Sequence, residues 1–174
     1  MGGQIASAYT IKHPEQINKL ILVAPAGFET FNGDEVELIK KIISPEIIFR
    51  TSDDQIRLNY KFNFFQMPKE AEDMISDRIA IKDDEDFYKH CTVVSNSLFG
   101  LLNAPVFNRL KEIEIPTLIL FGKDDLLIPN KSLHQTSPEE IAQIGASQIK
   151  NSKGILLEEC GHFLQYEKPD EFNS

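Results

Sequence analysis

Two short segments carry the residue types best suited to chemistry. Asp124-Asp125 follows the apolar run Pro116-Thr117-Leu118-Ile119-Leu120-Phe121, and Gly161-His162 follows the run Gly154-Ile155-Leu156-Leu157-Glu158. Imidazole titrates near working pH, which suits it to general base catalysis. A carboxylate beside it can fix its tautomer and stabilise the imidazolium formed during proton transfer. If both apolar runs are strands of one parallel sheet, the loops leaving them emerge on the same side and can meet. Residue type alone leaves Asp124 and Asp125 both eligible, and the pair also fits a plain Asx turn.

The other candidates offer less. His13 stands beside Pro14 at a helix end, where it can interact with terminal carbonyls. His90 falls in a helical region and His134 in a polar connection, so structural or solvated roles are expected for them. Cys91 and Cys160 are the only cysteines and lie far apart, which suits reduced thiols better than a disulfide framework. There is no His-Glu-x-x-His arrangement and no close Cys/His group, so no metal is expected, and Gly2-Gly3 lacks the flanking pattern of a phosphate loop. No cofactor is expected.

The elements that must position these residues read as α/β. Residues 4 to 13 suit a helix with Ile5, Ala8 and Tyr9 on one face, closed by Pro14. Lys19-Leu20-Ile21-Leu22-Val23-Ala24 is apolar almost without interruption, as in a parallel strand covered on both faces. Pro116 to Phe121 and Gly154 to Glu158 repeat that unit. Between them, Ser137-Pro138-Glu139-Glu140 has the form of a capped helix start, with Glu140 reaching back to the cap amide. A helix from there to about Gln148 would return the chain over the sheet for parallel pairing.

The middle, from about Asp34 to Leu110, reads as helical instead. Glu35 to Ile43 is stopped by Ser44-Pro45, Asp53 to Tyr60 follows the possible cap Ser52, and Pro68 opens a third helical segment. A fourth is expected from near Asp84 to about Leu102, with Phe87, Cys91, Val94 and Leu98 on one stripe. The expected organisation is residues 1–30 and 111–174 as two parts of a sheet core, and residues 31–110 as a helical insertion. Pro25-Ala26-Gly27 leaves the first strand at the sheet edge where active sites usually form.

Composition narrows the function classes. The hydrophobic fraction is 41% of 174 residues, spread over many short runs, which argues for a folded core. Net charge is -9, from 27 acidic and 18 basic residues, which disfavours nonspecific nucleic-acid binding. Groups such as Asp83-Asp84-Glu85-Asp86 suit solvated helix starts. No run reaches the roughly 20 apolar residues of a membrane-spanning helix, and a cytoplasmic protein is expected.

The chain resembles the α/β-hydrolase family, in particular its members with a helical cap. Its nucleophile elbow has the form Gly-x-nucleophile-x-Gly, commonly followed by a second glycine, and Met1-Gly2-Gly3 matches the part after the nucleophile. Ile115 through Pro129 is similar to the acid-bearing segment, in which the second aspartate is the acid, favouring Asp125 over Asp124. Glu159-Cys160-Gly161-His162-Phe163 is similar to the histidine loop, and Glu167 to Phe172 to the start of the last helix.

The resemblance implies a partial α/β-hydrolase fold from a parent with a serine nucleophile just ahead of Met1. In that parent, Asp125 would orient His162 as general base, and the backbone amide of Met1 would stand in the oxyanion hole. The implied substrate is a small molecule with an ester or activated carbon–carbon bond. This chain alone is expected to be an inactive fragment, from a displaced reading-frame boundary, an incomplete gene assembly or a deliberate truncation, that self-associates through an exposed sheet edge. Two alternatives stand beside this one: a noncatalytic ligand- or protein-binding protein of the same fold, and a parent of the dehalogenase or epoxide hydrolase kind with an aspartate nucleophile. Phe62, Phe64, Phe65 and Met67 in the insertion are compatible with an apolar substrate, and ordinary packing of the insertion is the favoured reading for each.

Overall fold

The computed structural model describes all 174 residues. Three parallel strands, β1 (Leu20–Val23), β2 (Thr117–Gly122) and β3 (Ser152–Leu157), form one sheet in the order β1-β2-β3. Leu20 pairs with Thr117 and Thr117 with Ser152, so all three strands end at one edge of the sheet.

Helix α1 (Gly2–Lys12) precedes β1. Between β1 and β2 run α2 (Gly33–Ile42), α3 (Pro45–Phe49), α4 (Asp53–Lys61), α5 (Glu72–Ala80) and α6 (Phe87–Asn103). Helix α7 (Pro138–Gln148) crosses from β2 to β3, and the chain closes with the short helices α8 (Leu164–Glu167) and α9 (Pro169–Phe172).

Helix boundaries follow local capping chemistry. The Ser137 hydroxyl accepts the Glu140 amide at 3.1 Å while the Ser137 amide donates to Glu140 Oε2 at 2.6 Å, the reciprocal box expected at the start of α7. Ser52 caps α4 by accepting from the Gln55 amide at 3.2 Å. A second reciprocal box joins Asn32 and Glu35, so α2 starts at Gly33, two residues before the expected position. Ser44 does more than stop α2, because its hydroxyl accepts the Ile47 amide and opens α3.

The main apolar core is built from the sheet, α7, and the loops around them: Leu22, Phe28, Leu110, Ile119, Phe121, Ile149 and Leu164 are each at most 2% exposed. No residue between Glu29 and Pro105 belongs to that cluster. The segment α2 to α6 buries its own smaller set, including Ile56, Ile75, Phe87 and Cys91. On α6 the buried stripe is Phe87, Cys91 and Ser95; Val94 and Leu98 are only partly covered. No helix is long and apolar enough to cross a membrane.

The expected coverage of β1 on both faces needs correction, and α1 shows which of its faces turns inward. The stripe Ile5-Ala8-Tyr9 forms on α1 but faces outward, with Ile5 62% and Tyr9 46% exposed, while Gln4, Ser7 and Thr10 are buried. The inward face is polar and small because α1 sits tightly on the sheet: a Cβ at Gly3 would stand 2.4 Å from Pro25 Cβ. Likewise β1 is covered on one face only. Leu20 and Leu22 are buried, whereas Ile21 is 61% exposed, since no element of this chain packs over it. Only β2, with neighbours on both sides, is buried almost throughout.

Candidate active site

Asp125 follows β2 in a tight turn, its amide donating to the Gly122 carbonyl at 3.3 Å. The residue is 1% exposed. Oδ1 accepts the amides of Leu127 (2.8 Å) and Ile128 (3.0 Å), and Oδ2 faces His162 Nδ1 at 2.8 Å. A buried carboxylate is costly unless its lone pairs are satisfied. Here three donors surround it, two of them rigid backbone amides, so the side chain is fixed.

The tautomer of His162 follows from that contact. An ionised carboxylate only accepts, so Nδ1 carries the hydrogen and donates it to Asp125, leaving the lone pair on Nε2. The ring forms no other hydrogen bond within the chain. An imidazole held this way can take a proton at Nε2 while the carboxylate stabilises the resulting cation.

Asp124 is the neighbour that residue type left eligible. Its side chain makes no hydrogen bond to His162; its amide instead donates to the Cys160 carbonyl at 2.9 Å, which ties the acid loop to the histidine loop. That approach requires Gly122, because a Cβ there would lie 2.2 Å from the carbonyl oxygens of both Cys160 and Gly161. Cys160 itself is fully buried, and desolvation pushes its thiol up to about 12, so it is no thiolate at neutral pH.

The histidine loop also hangs on the helical segment. The amides of His162 and Phe163 donate to the Asn63 carbonyl at 2.8 and 3.1 Å, just past the end of α4. Glu167 of α8 accepts the Gly161 amide on Oε2 and the Gln66 amide on Oε1, both at 2.7 Å. Phe64 packs edge-on against Phe163, with ring centroids 5.3 Å apart. Neither Asn63 nor Glu167 stood out in the sequence. Asn63 carries the weak signal of an asparagine after a helix, but nothing there reports a partner about 100 residues away.

Met1 immediately precedes α1, whose first turn contacts the loop after β1 through Gly3 and Pro25. Its residue is half exposed, yet desolvation lowers the pKa of its α-amino group. The remaining histidines lie elsewhere. His13 packs on the Tyr9 ring, and His90 stacks on Phe87. His134 Nδ1 pairs with Glu29 at 2.5 Å while Nε2 lies 3.4 Å from Glu35 and the ring stacks on Phe31, joining the loop after β2 to α2. No three His, Cys, Asp or Glu side chains converge to hold a metal ion.

A family model described as serine aminopeptidase, S33, matches residues 1–169, acid and histidine loops included. The chain belongs to this α/β-hydrolase family. Among curated relatives of this S33-family chain, 2-hydroxy-6-oxo-6-phenylhexa-2,4-dienoate hydrolase of Comamonas testosteroni is 27% identical over 99% of this chain and 57% of its own length. Monoacylglycerol lipase ABHD6 of Homo sapiens is 24% identical over 97% of this chain and 49% of its own. The crystal structure of a probable hydrolytic enzyme from Pseudomonas aeruginosa superimposes with a TM-score of 0.81 at 19% identity, covering 98% of this chain and 58% of that one, a likeness of fold. The chain thus spans about half the length of the curated relatives it matches.

Proposed function

We propose that this chain supplies the acid, the base and the helical cap of a serine hydrolase that attacks an ester or activated carbon–carbon bond. The carrying observation is the 2.8 Å contact between His162 Nδ1 and a buried Asp125 whose second oxygen is held by two amides. In this reading the serine stands directly before Met1, at the start of α1. His162 Nε2 removes the hydroxyl proton as the serine attacks the substrate carbonyl and later returns it to the leaving group, while Asp125 keeps the ring oriented. The Met1 amide, a peptide N-H once the chain continues upstream, donates to the oxyanion.

The names of the relatives support a hydrolase of small organic substrates, one naming a 2-hydroxy-6-oxo-6-phenylhexa-2,4-dienoate and the other a monoacylglycerol. The separation of cores supports a helical cap that starts near residue 31 and ends by Pro105, short of the expected residue 110, because Val106 and Leu110 pack in the sheet core. A cytoplasmic setting fits the two unpaired, buried cysteines. The open edge of β1 and the exposed Ile5, Tyr9 and Ile21 support self-association; a monomer in sedimentation at tens of micromolar would overturn it.

The test is to read the coding sequence upstream of Met1, express the longer protein and compare ester hydrolysis. A serine codon before Met1, with turnover in the longer protein and none in this chain, is the expected outcome. Equal active-site-titrated turnover by the two proteins, or an aspartate codon at that position, overturns the reading.

A further inference from the structure

Where the loops after β1 and β2 meet α2 and α6, the fold forms a partly open cavity of about 250 Å3. Its walls are Val36 and Ile39 from α2, Ile43 just after it, Leu98 and Leu101 from α6, and Leu127 from the acid loop. That size lies near the lower end of small-molecule clefts, roughly 300–1,000 Å3, and suits a short alkyl chain or a single ring.

Resting on the hydrolase reading above, we propose that this cavity receives the uncharged alkyl or acyl part of the substrate and excludes substrates that carry a carboxylate there. It adjoins the loop that holds the dyad's acid. The amides of Leu127 and Ile128, both lining residues, are the ones that hold Asp125 Oδ1. Gln4, one turn into α1, lines the opposite side, and its Nε2 donates to the Leu101 and Ala104 carbonyls at 2.9 and 2.8 Å, fixing the end of α6 over the space.

The charge pattern sets the preference. No lysine, arginine or histidine lines the cavity, and its one ionisable lining residue is Glu29. The amide of Asn130 donates to Glu29, and the Gln4 amide nitrogen is already engaged with α6, so neither of those donors is free to meet an entering anion. Behind Glu29, His134 lies between the carboxylates of Glu29 and Glu35, so even a protonated His134 leaves the trio with one net negative charge. A carboxylate placed there loses its water, gains no cation and meets a like charge. An alkyl chain loses nothing comparable and buries apolar surface.

Binding to this 174-residue chain tests the assignment without any turnover. The probes are 1-octanol and octanoate at pH 7.5, read by methyl NMR with isoleucine and leucine labels. Octanol should shift the methyls of Ile39, Leu98, Leu101 and Leu127 saturably, with octanoate at least tenfold weaker. Glu29→Gln should narrow that ratio, and Ile39→Trp, which fills the space, should weaken octanol at least fivefold while a melt confirms folding. Equal or tighter octanoate binding, or octanol shifts confined to methyls elsewhere, overturns the proposal, and these unsubstituted-chain readouts hold even if a variant fails to fold. Failure here while serine chemistry is found in the longer protein removes the cavity assignment alone. Octanol bound here without any serine chemistry there removes the hydrolase reading alone.

Discussion

Glu167 accepts the amide of Gly161 at 2.7 Å, immediately before the residue whose imidazole faces Asp125. Its other oxygen takes the Gln66 amide from the segment after α4. One carboxylate thus pins the histidine loop to the helical segment. Glu167→Ala leaves two amides without their acceptor and should cost about 2–3 kcal/mol. Glu167→Gln, which retains one accepting oxygen, should cost about half as much. Chemical denaturation of the three proteins measures both, and equal stabilities would remove Glu167 from this role.

Asp125 should dictate which nitrogen of His162 is protonated. Nitrogen-resolved NMR of the neutral ring is expected to show the hydrogen on Nδ1. In Asp125→Asn the amide can donate to Nδ1, which moves the hydrogen to Nε2. In the longer protein the same substitution should lower kcat by about 10^3- to 10^4-fold, because the base then presents the wrong tautomer. An unchanged tautomer in Asp125→Asn would separate the two residues functionally.

The strands and helix starts were legible because each rests on a local signal. Pro116 to Phe121 is an apolar run long enough only for a buried strand, and Ser137 with Glu140 carries its own reciprocal bonds. Order along the chain brought Asp125 and His162 to one sheet edge. Choosing Asp125 over Asp124 rested on resemblance; in the structure it is the Asp125 carboxylate that faces His162 Nδ1, at 2.8 Å. Tertiary pairings were not legible. Asn63 and Glu167 act across about a hundred residues, and a stripe such as Ile5-Ala8-Tyr9 announces a face without saying which way it points.

Helix α7 meets the core at a glycine. A Cβ on Gly145 would stand 2.0 Å from the ring of Phe28, which is 2% exposed. Overpacking of that kind costs about 1–3 kcal/mol, against a helix-propensity gain of about 1 kcal/mol for alanine. Gly145→Ala should therefore be net destabilising, and its cost should shrink in a Phe28→Leu background. Additive effects in that double-mutant cycle would show that the two residues are not in contact.

His134 links stability to pH. The hydrogen bond with Glu29 comes first among the causes that raise its pKa above 6.5; burial opposes it, and the charges of Glu29 and Glu35 add to the rise. The folded state therefore binds the proton more tightly than the unfolded one. The stabilisation is fully present below the unfolded value near 6.5 and fades as pH rises through the higher folded value. His134→Gln should cost about 1 kcal/mol at pH 5.5 and measurably less at pH 9. A cost that grows with pH would reverse the sign and refute the pairing.

A fluorophosphonate probe applied to a protein extended upstream of Met1, with the labelled residue located by mass spectrometry, bears most directly on the proposed role of the dyad. Labelling is expected on a serine immediately before Met1, and it should fall at least a hundredfold in His162→Gln. Labelling at any other residue, or labelling that survives the loss of His162, would contradict the assignment.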